Sequence, residues 1–369
     1  MDIGLVKDGR PFEHRIGLTP AVVRLLCQAG HRVYVQDDAG LEAGFANETY
    51  RESGATIAYS DDEVLLRSQL VIKVSPPTPA EYTRFQPGQA VMSSWHLALA
   101  PEDAFKTLLE RKITAIGFEI IEEDDGHAPV LEAMSEIAGR LAVTIGSGLL
   151  LNEFGGKGLL IGGAPGIPPA SLVILGAGTL GREAARFARG IGAHVVVLDR
   201  DVQRLRRLQH HTPDEVPTMV ATPTNIEKAL AFADLFLCCV AVHGERTPIL
   251  VTRAMLKNMK PRSVIMDLSI DQGGCCETSR PTDFSSPTYT VDDIIHFCVP
   301  NLPSTASRAS TRALTNAIFP YVMAIAERGF DQAVHEEPAL RRGTYTHAGG
   351  CRRPGLAASF GVDHVALVS

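Results

Sequence analysis

Residues 176–181 read Gly-Ala-Gly-Thr-Leu-Gly. They follow an apolar run, Ser171–Leu175, and open an amphipathic stretch with Ala184, Ala185, Phe187 and Ala188 on one side. The next apolar run ends in Asp199, 23 residues after the first glycine. Strand, glycine turn, helix, strand and acid in that order are what a dinucleotide-binding turn requires. A glycine pattern without that context carries little weight in a chain with 33 glycines. Gly176 permits the tight turn, Gly178 lets a pyrophosphate approach the backbone, and Gly181 allows close helix–strand packing. Thr179 and Leu180 complete the expected cofactor contact at a helix N-terminus, whose unpaired N–H groups and dipole favour phosphate. A carboxylate at 199 accepts hydrogen bonds from ribose hydroxyls and repels a 2′-phosphate, so NAD is expected rather than NADP. Arg200 weakens that preference, because an adjacent guanidinium can hold a phosphate. The alternative is a glycine turn that merely joins a strand to a helix.

Four further residues are ambiguous singly. Arg15 and Lys73 read as surface cations, although Lys73 interrupts an apolar run, Val71-Ile72-Lys73-Val74, where a solvated lysine is unnatural. His96 follows Trp95 and reads equally as a partly buried, satisfied histidine. Asp271 precedes Gly273-Gly274 and reads as a turn residue.

Taken together, the motifs resemble alanine dehydrogenase, within the alanine dehydrogenase and pyridine nucleotide transhydrogenase group. The matching segments are Glu13-His14-Arg15-Ile16-Gly17-Leu18-Thr19-Pro20, Val71-Ile72-Lys73-Val74, His96-Leu97-Ala98, Met134-Ser135-Glu136-Ile137-Ala138-Gly139-Arg140, Ile270-Asp271-Gln272-Gly273-Gly274-Cys275 and Ala313-Leu314-Thr315-Asn316-Ala317. The resemblance extends to about residue 330. It implies that Arg15 binds the carboxylate of a 2-oxo acid, that Lys73 holds its carbonyl or carboxylate oxygen, and that His96 is the general acid and base. It also implies that Asp271 lies near the nicotinamide, that Met134 lines the substrate pocket, and that Asn301 contacts cofactor or substrate. Ser135, Val242 and Ile270 are further implied cofactor contacts. The chemistry agrees with these residue types. Reductive amination needs a planar cation for the carboxylate, a donor on the carbonyl and a group titrating near neutral pH; the cofactor carries the hydride.

Several positions depart from the family pattern. Ser94 replaces an aromatic residue, Phe118-Glu119 replaces Tyr-Glu, and Glu132 introduces a carboxylate beside the expected pocket. Ser75 replaces a lysine, Pro76-Pro77 replaces Glu-Pro, and Ser304-Thr305-Ala306-Ser307 replaces Gly-Ala-Val-Pro. Loss of a ring and gain of a carboxylate reshape a pocket. A related reductase acting on another 2-oxo acid or an imine is therefore the alternative to a true alanine dehydrogenase. A transhydrogenase-like nucleotide-binding module is the alternative from another class, and His96 with the 271–275 run speaks against it.

These residues need elements to hold them. Strands are expected at Ile3–Lys7, Arg32–Gln36, Ala55–Tyr59 and Leu70–Val74. A helix capped by Thr19-Pro20 carries Val22, Val23, Leu25 and Leu26 and ends at Gly30. A long helix runs from about Ser135 to Glu153. The alternation then restarts with strands at 171–175, 193–198, 235–240, 264–267 and 294–298, and a helix spans Ser310–Gly329. The last forty residues show weak periodicity. The expected α/β fold is two Rossmann-like doubly wound domains with an interdomain active-site cleft. The substrate domain is residues 1–129 plus 307–369, and the NAD-binding domain is residues 130–306.

Composition sets the outer limits. The 369 residues are 45% hydrophobic and carry a net charge of −7, without a Lys/Arg cluster, which argues against a nucleic-acid footprint. No signal peptide is evident, and the longest apolar run, Leu235–Val242, is far too short to cross a membrane. The seven cysteines lack metal-ligand spacing and fit a reducing cytoplasm as small packing residues. Members of the family assemble as dimers or hexamers, so the resemblance implies a homo-oligomer with small-molecule partners only.

Overall fold

Short apolar runs between turns become strands, and the amphipathic stretches between them become helices. The computed structural model describes residues 1–211, 216–241 and 246–367. In chain order the strands are β1 (Asp2–Leu5), β2 (Arg32–Gln36), β3 (Thr56–Ala58), β4 (Leu70–Ile72), β5 (Ala90–Ser93), β6 (Thr114–Gly117), β7 (Ser171–Leu175) and β8 (His194–Asp199). They continue with β9 (Thr218–Val220), β10 (Leu235–Cys238), β11 (Val264–Asp267), β12 (Thr288–Val291), β13 (Ile294–Phe297), β14 (Thr344–His347) and β15 (Gly350–Cys351). The helices that matter below are α1 (Pro20–Gln28), α2 (Pro129–Leu149), α3 (Thr179–Gly190) and α4 (Ser307–Arg328). The chain divides into two units, one of residues 1–134 and 304–369, the other of residues 135–303. The division falls inside α2, so the sequence boundary at 129/130 is replaced by Met134/Ser135, and that at 306/307 by Pro303/Ser304.

In the first unit the sheet order is β15-β14-β6-β5-β4-β1-β2-β3, with β1 to β6 parallel. In the second it is β12-β13-β11-β10-β7-β8-β9, parallel except for β12. Each sheet therefore has a first strand, β1 or β7, flanked on both sides by later strands. That reversal is where doubly wound sheets bind ligands, at the carboxyl ends of the strands. Strand interiors are buried on both faces: Ile3, Leu5, Leu70, Val71 and Ile72 in one unit, and Leu172, Val173, Ile174, Val195 and Val197 in the other, are fully covered. Each such side chain contributes about 1.5–3 kcal/mol of burial.

The structure differs from the sequence expectations in three places. Leu25 projects outward from α1 and is 46% exposed, because the buried stripe of that helix is Pro20, Val22, Val23 and Leu26. The long helix begins at Pro129, six residues earlier than expected, since proline at a first helical position costs no hydrogen bond. Its last residue is Leu149. The weakly periodic C-terminal segment is ordered as an antiparallel extension, β14 on β6 and β15 on β14.

Candidate active site

The first unit gathers Arg15, Lys73 and His96 at the carboxyl ends of neighbouring parallel strands. Arg15 lies in the loop between β1 and α1, Lys73 directly after β4, and His96 three residues after β5. The Arg15 loop is held by hydroxyls from the far end of the chain. Ser304 Oγ accepts from His14 N at 2.9 Å and donates to the Phe12 carbonyl at 2.5 Å. Thr311 Oγ1 accepts from Ile16 N at 3.2 Å, and Thr315 Oγ1 accepts from Thr19 N at 3.1 Å and donates to the Gly17 carbonyl. All three hydroxyl residues are buried. The loop thus satisfies backbone groups that no strand or helix partner reaches, and it holds Phe12 at φ 63°.

The two cations belong to one chain of charges. The Arg15 guanidinium clasps Glu13 with two bonds, Nε to Oε1 at 2.7 Å and Nη2 to Oε2 at 2.6 Å, and its Nη1 lies 3.3 Å from the Met134 sulfur. Glu13 Oε2 also accepts from Ser75 Oγ at 2.7 Å, and Ser75 N donates to Asp8 Oδ2 at 2.8 Å. The other Asp8 oxygen is 3.1 Å from Lys73 Nζ, and Glu81 Oε1 is 3.0 Å from the same nitrogen. Lys73 is 1% exposed. Both carboxylates stand at ion-pair distance from its ammonium, so this buried cation is charge-compensated. Burial by itself raises the Glu13 pKa, but the hydrogen bonds and charge of Arg15, with the Ser75 hydroxyl, outweigh it and lower it to about 2. Burial also opposes ionisation of Glu81, and there the charge of Lys73 with the bonds from Thr78 prevails, so its pKa is lowered too.

His96 sits at φ 47°, a left-handed conformation that costs a histidine energy and turns its ring to the exterior. Trp95, by contrast, is 1% exposed, packed edge-on against Tyr82 and Phe85 with its indole N–H on the Val91 carbonyl. The carboxylate of Glu119, just past β6, accepts from His96 N at 2.6 Å and from Trp95 N at 3.2 Å. Its Oε1 is 4.0 Å from His96 Nδ1.

The second unit holds the glycine turn expected to bind the nucleotide. Gly176 is at φ 111°, and a Cβ there would lie 2.4 Å from the Cys239 carbonyl oxygen. At Gly181 a Cβ would lie 1.8 Å from the Gly176 carbonyl oxygen, so only glycine closes this turn. Gly178 has open space where a Cβ would point, as close approach of a phosphate requires. Thr179 and Leu180 begin α3 and are half-buried. Asp199 ends β8, and its oxygens accept from Ala177 N at 2.7 Å and Asp201 N at 2.8 Å. That leaves lone pairs for ribose hydroxyls on a carboxylate already fixed in place. Arg200 is exposed beside it. Gly139 of α2 belongs to the same contact. A Cβ there would come within 2.5 Å of the Leu180 carbonyl oxygen, so α2 abuts the turn backbone to backbone.

The remaining expected positions lie in the same unit. Ser135 is half-buried on α2. Asp271 is exposed in a single tight turn, Ile270–Gln272, closed by Gly273 at φ 97° and Gly274 at φ 80°. The Ile270 side chain is buried, so a cofactor contact there would come from its backbone. Asn301 is half-buried at φ 55°. Val242 lies outside the described residues. Sequence spacing concealed one cluster: the ligand atoms of Cys238, Asp267 and Cys275 lie within 4.8 Å of one another, all buried. Asp267 is already engaged by Ser269 N, Cys275 N, Cys276 N and Ser279 Oγ, so it braces the loop that carries Asp271.

Two sequence families match: "Alanine dehydrogenase/PNT, N-terminal domain" over residues 4–138 and "Alanine dehydrogenase/PNT, C-terminal domain" over residues 142–354. The chain belongs to the alanine dehydrogenase/PNT family. It is 39% identical to an alanine dehydrogenase of Halomonas elongata, covering 100% of this chain and 99% of the relative. It is 42% identical to one of Methanococcus maripaludis, over 94% of this chain and 93% of the relative. A solved L-alanine dehydrogenase superposes with a TM-score of 0.93 at 39% identity, covering 98% of this chain and 99% of that one. A transhydrogenase from Sinorhizobium meliloti shares the fold, with a TM-score of 0.80 at 21% identity and coverage of 96% and 100%.

Within this family frame, several of the departing residues have structural partners of their own. Ser304 and Ser75 bind the Arg15 loop and Glu13 as described, and Ser307 Oγ donates to the Glu42 carbonyl. Phe118 is 1% exposed and packs in the core. Glu132 pairs with His127 at 3.0 Å. Glu13, Asp8, Glu81, Glu119, Ser304 and Thr311 had no assigned role in the sequence. Glu13 and Thr315 stood inside quoted motifs, but Glu81 and Glu119 find their partners only through the sheet order.

Proposed function

We propose that the protein is an NAD-dependent L-alanine dehydrogenase, interconverting L-alanine with pyruvate and ammonium. The observation that carries this reading is the buried pair of cations, Arg15 and Lys73, joined through Glu13, Ser75 and Asp8 at adjacent strand ends. Buried cations at parallel strand ends suit a small anionic substrate.

Arg15 binds the carboxylate. Its Nε and Nη2 are bonded to Glu13, which fixes the plane of the guanidinium beside Met134. Lys73 Nζ, held between Asp8 and Glu81, has three N–H donors and gives one to the carbonyl oxygen. His96 exchanges the proton as the C–O bond gives way to C–N, and Asp271 stabilises the iminium or holds ammonium. NAD would rest on Gly176, Gly178, Thr179, Leu180 and Gly181, with its ribose on Asp199 and further contacts at Ser135, Ile270 and Asn301. Bound there, it accepts hydride from the amino acid or, reduced, returns it.

A homo-oligomer, dimer or hexamer, and a cytoplasmic location belong to the same reading. The first rests on the family resemblance, and the second on seven free thiols. No helix among the described residues is long and apolar enough to cross a membrane.

The test is NADH oxidation with ammonium over a series of 2-oxo acids. Pyruvate is expected to give a kcat/KM at least equal to that of any bulkier acid. A larger acid turning over better would favour the alternative substrate, for which the small Ser94 at the end of β5 is the supporting observation. NADH binding without turnover on any acid would overturn the reading.

A further inference from the structure

We infer that Tyr345, on the C-terminal strand β14, is a positioning residue for His96, acting through the Glu119 carboxylate. The inference rests on the reading of His96 as the proton-transfer group. Tyr345 Oη donates to Glu119 Oε1 at 2.9 Å across 226 residues of sequence. The same oxygen accepts from His96 N at 2.6 Å, while Oε2 accepts from Trp95 N at 3.2 Å. One half-buried carboxylate thus links the phenol to the two backbone N–H groups that hold His96 in its left-handed conformation.

The local structure is built to deliver that hydroxyl. Strand β14 pairs with β6 in a register that shifts between Thr344 and Thr346, so Tyr345 occupies the irregularity. A bulge of this kind re-aims a side chain, here toward the carboxyl end of β6. Gly117, the last residue of β6, makes room for it: a Cβ there would sit 2.4 Å from Tyr345 Cε2. Burial and the charge of Glu119 both push the phenol well above its ordinary pKa of 10, so it stays protonated and donates. Phe118, beside Glu119, carries no hydroxyl and is packed in the core, so the phenolic partner of this carboxylate comes from β14.

A carboxylate that lacks the phenol is held only by the two backbone N–H groups, so the positive-φ turn at His96 is clamped less rigidly. The ring then spends less time in the geometry of proton transfer, while substrate and cofactor still bind. The expected signature is therefore a fall in kcat without a matching change in KM. The experiment compares Tyr345→Phe, Glu119→Gln and the double variant with the parent, by steady-state NADH oxidation with pyruvate and ammonium. His96→Asn is measured alongside. Tyr321→Phe is the control, since Tyr321 also donates to a carboxylate, Glu123, but away from these residues. Tyr345→Phe should lower kcat about tenfold with both KM values within about twofold, as expected for one lost hydrogen bond to a charged group. In the Glu119→Gln background the same change should cost less than about twofold, because the pathway is already cut. Tyr321→Phe should leave kcat within about twofold. Full kcat in Tyr345→Phe, or losses in the two single variants that simply multiply, would overturn the inference. Full kcat in His96→Asn would instead overturn the underlying reading of His96, whatever Tyr345→Phe does.

Discussion

Glu13→Gln asks whether the Arg15 guanidinium is held in place by charge. In the folded protein the Glu13 carboxyl is lowered from 4.5 to about 2. At about 1.36 kcal/mol per pH unit, that displacement is worth roughly 3 kcal/mol of folding stability. The sign follows from the direction. A carboxyl depressed in the folded state stabilises fully above its unfolded pKa of about 4.5, and the contribution is lost as pH falls from there through about 2. At pH 3 about 2 kcal/mol of it is gone. The amide introduced by Glu13→Gln has no such dependence and leaves Arg15 a buried cation without its counter-charge, the situation in which breaking a pair costs about 3–5 kcal/mol. Urea unfolding followed by tryptophan fluorescence measures the difference. Trp95 is the sole tryptophan and lies buried in the same unit as Glu13, so its signal reports that unit directly. Parent and variant should differ by about 3 kcal/mol at pH 7 and by about 1 kcal/mol at pH 3. A gap of the same size at both pH values, or none at pH 7, would refute the electrostatic account of this loop.

Other perturbations follow from single contacts. Gly181→Ala places a methyl group 1.8 Å from the Gly176 carbonyl oxygen, so isothermal titration should show NADH affinity reduced by at least about tenfold while pyruvate-site variants bind NADH normally. Asp199→Ser removes the acceptor for Ala177 N and the expected ribose contact; the KM for NADH should rise about tenfold and the preference over NADPH should narrow, as read by kcat/KM with each cofactor. Ser304→Ala removes the hydroxyl that bonds the Phe12 carbonyl and the His14 N–H, loosens the Arg15 loop, and should raise the KM for pyruvate without changing that for NADH.

The turn at 176–181, the lysine set inside the apolar run 70–74 and the alternation of strands with helices were legible in the order of residues. Each is a short-range property. Positive φ at glycine is a matter of backbone sterics, and the two periodicities follow from where successive side chains point. Reading stopped where a side chain's partner lies far along the chain. Ser304, Thr311 and Thr315 hold the Arg15 loop from about 290 residues away, and Tyr345 reaches Glu119 across 226. The weakly periodic tail gave no hint of β14, because a strand of threonine, tyrosine and histidine has too few apolar residues to show a pattern, even though it lies between β6 and β15. Sequence by itself showed a glycine turn between strand and helix and one lysine set inside an apolar run. Only tertiary structure decided what that lysine touches, since strand order, and with it the neighbour across every strand end, is chosen by the packing of the whole sheet.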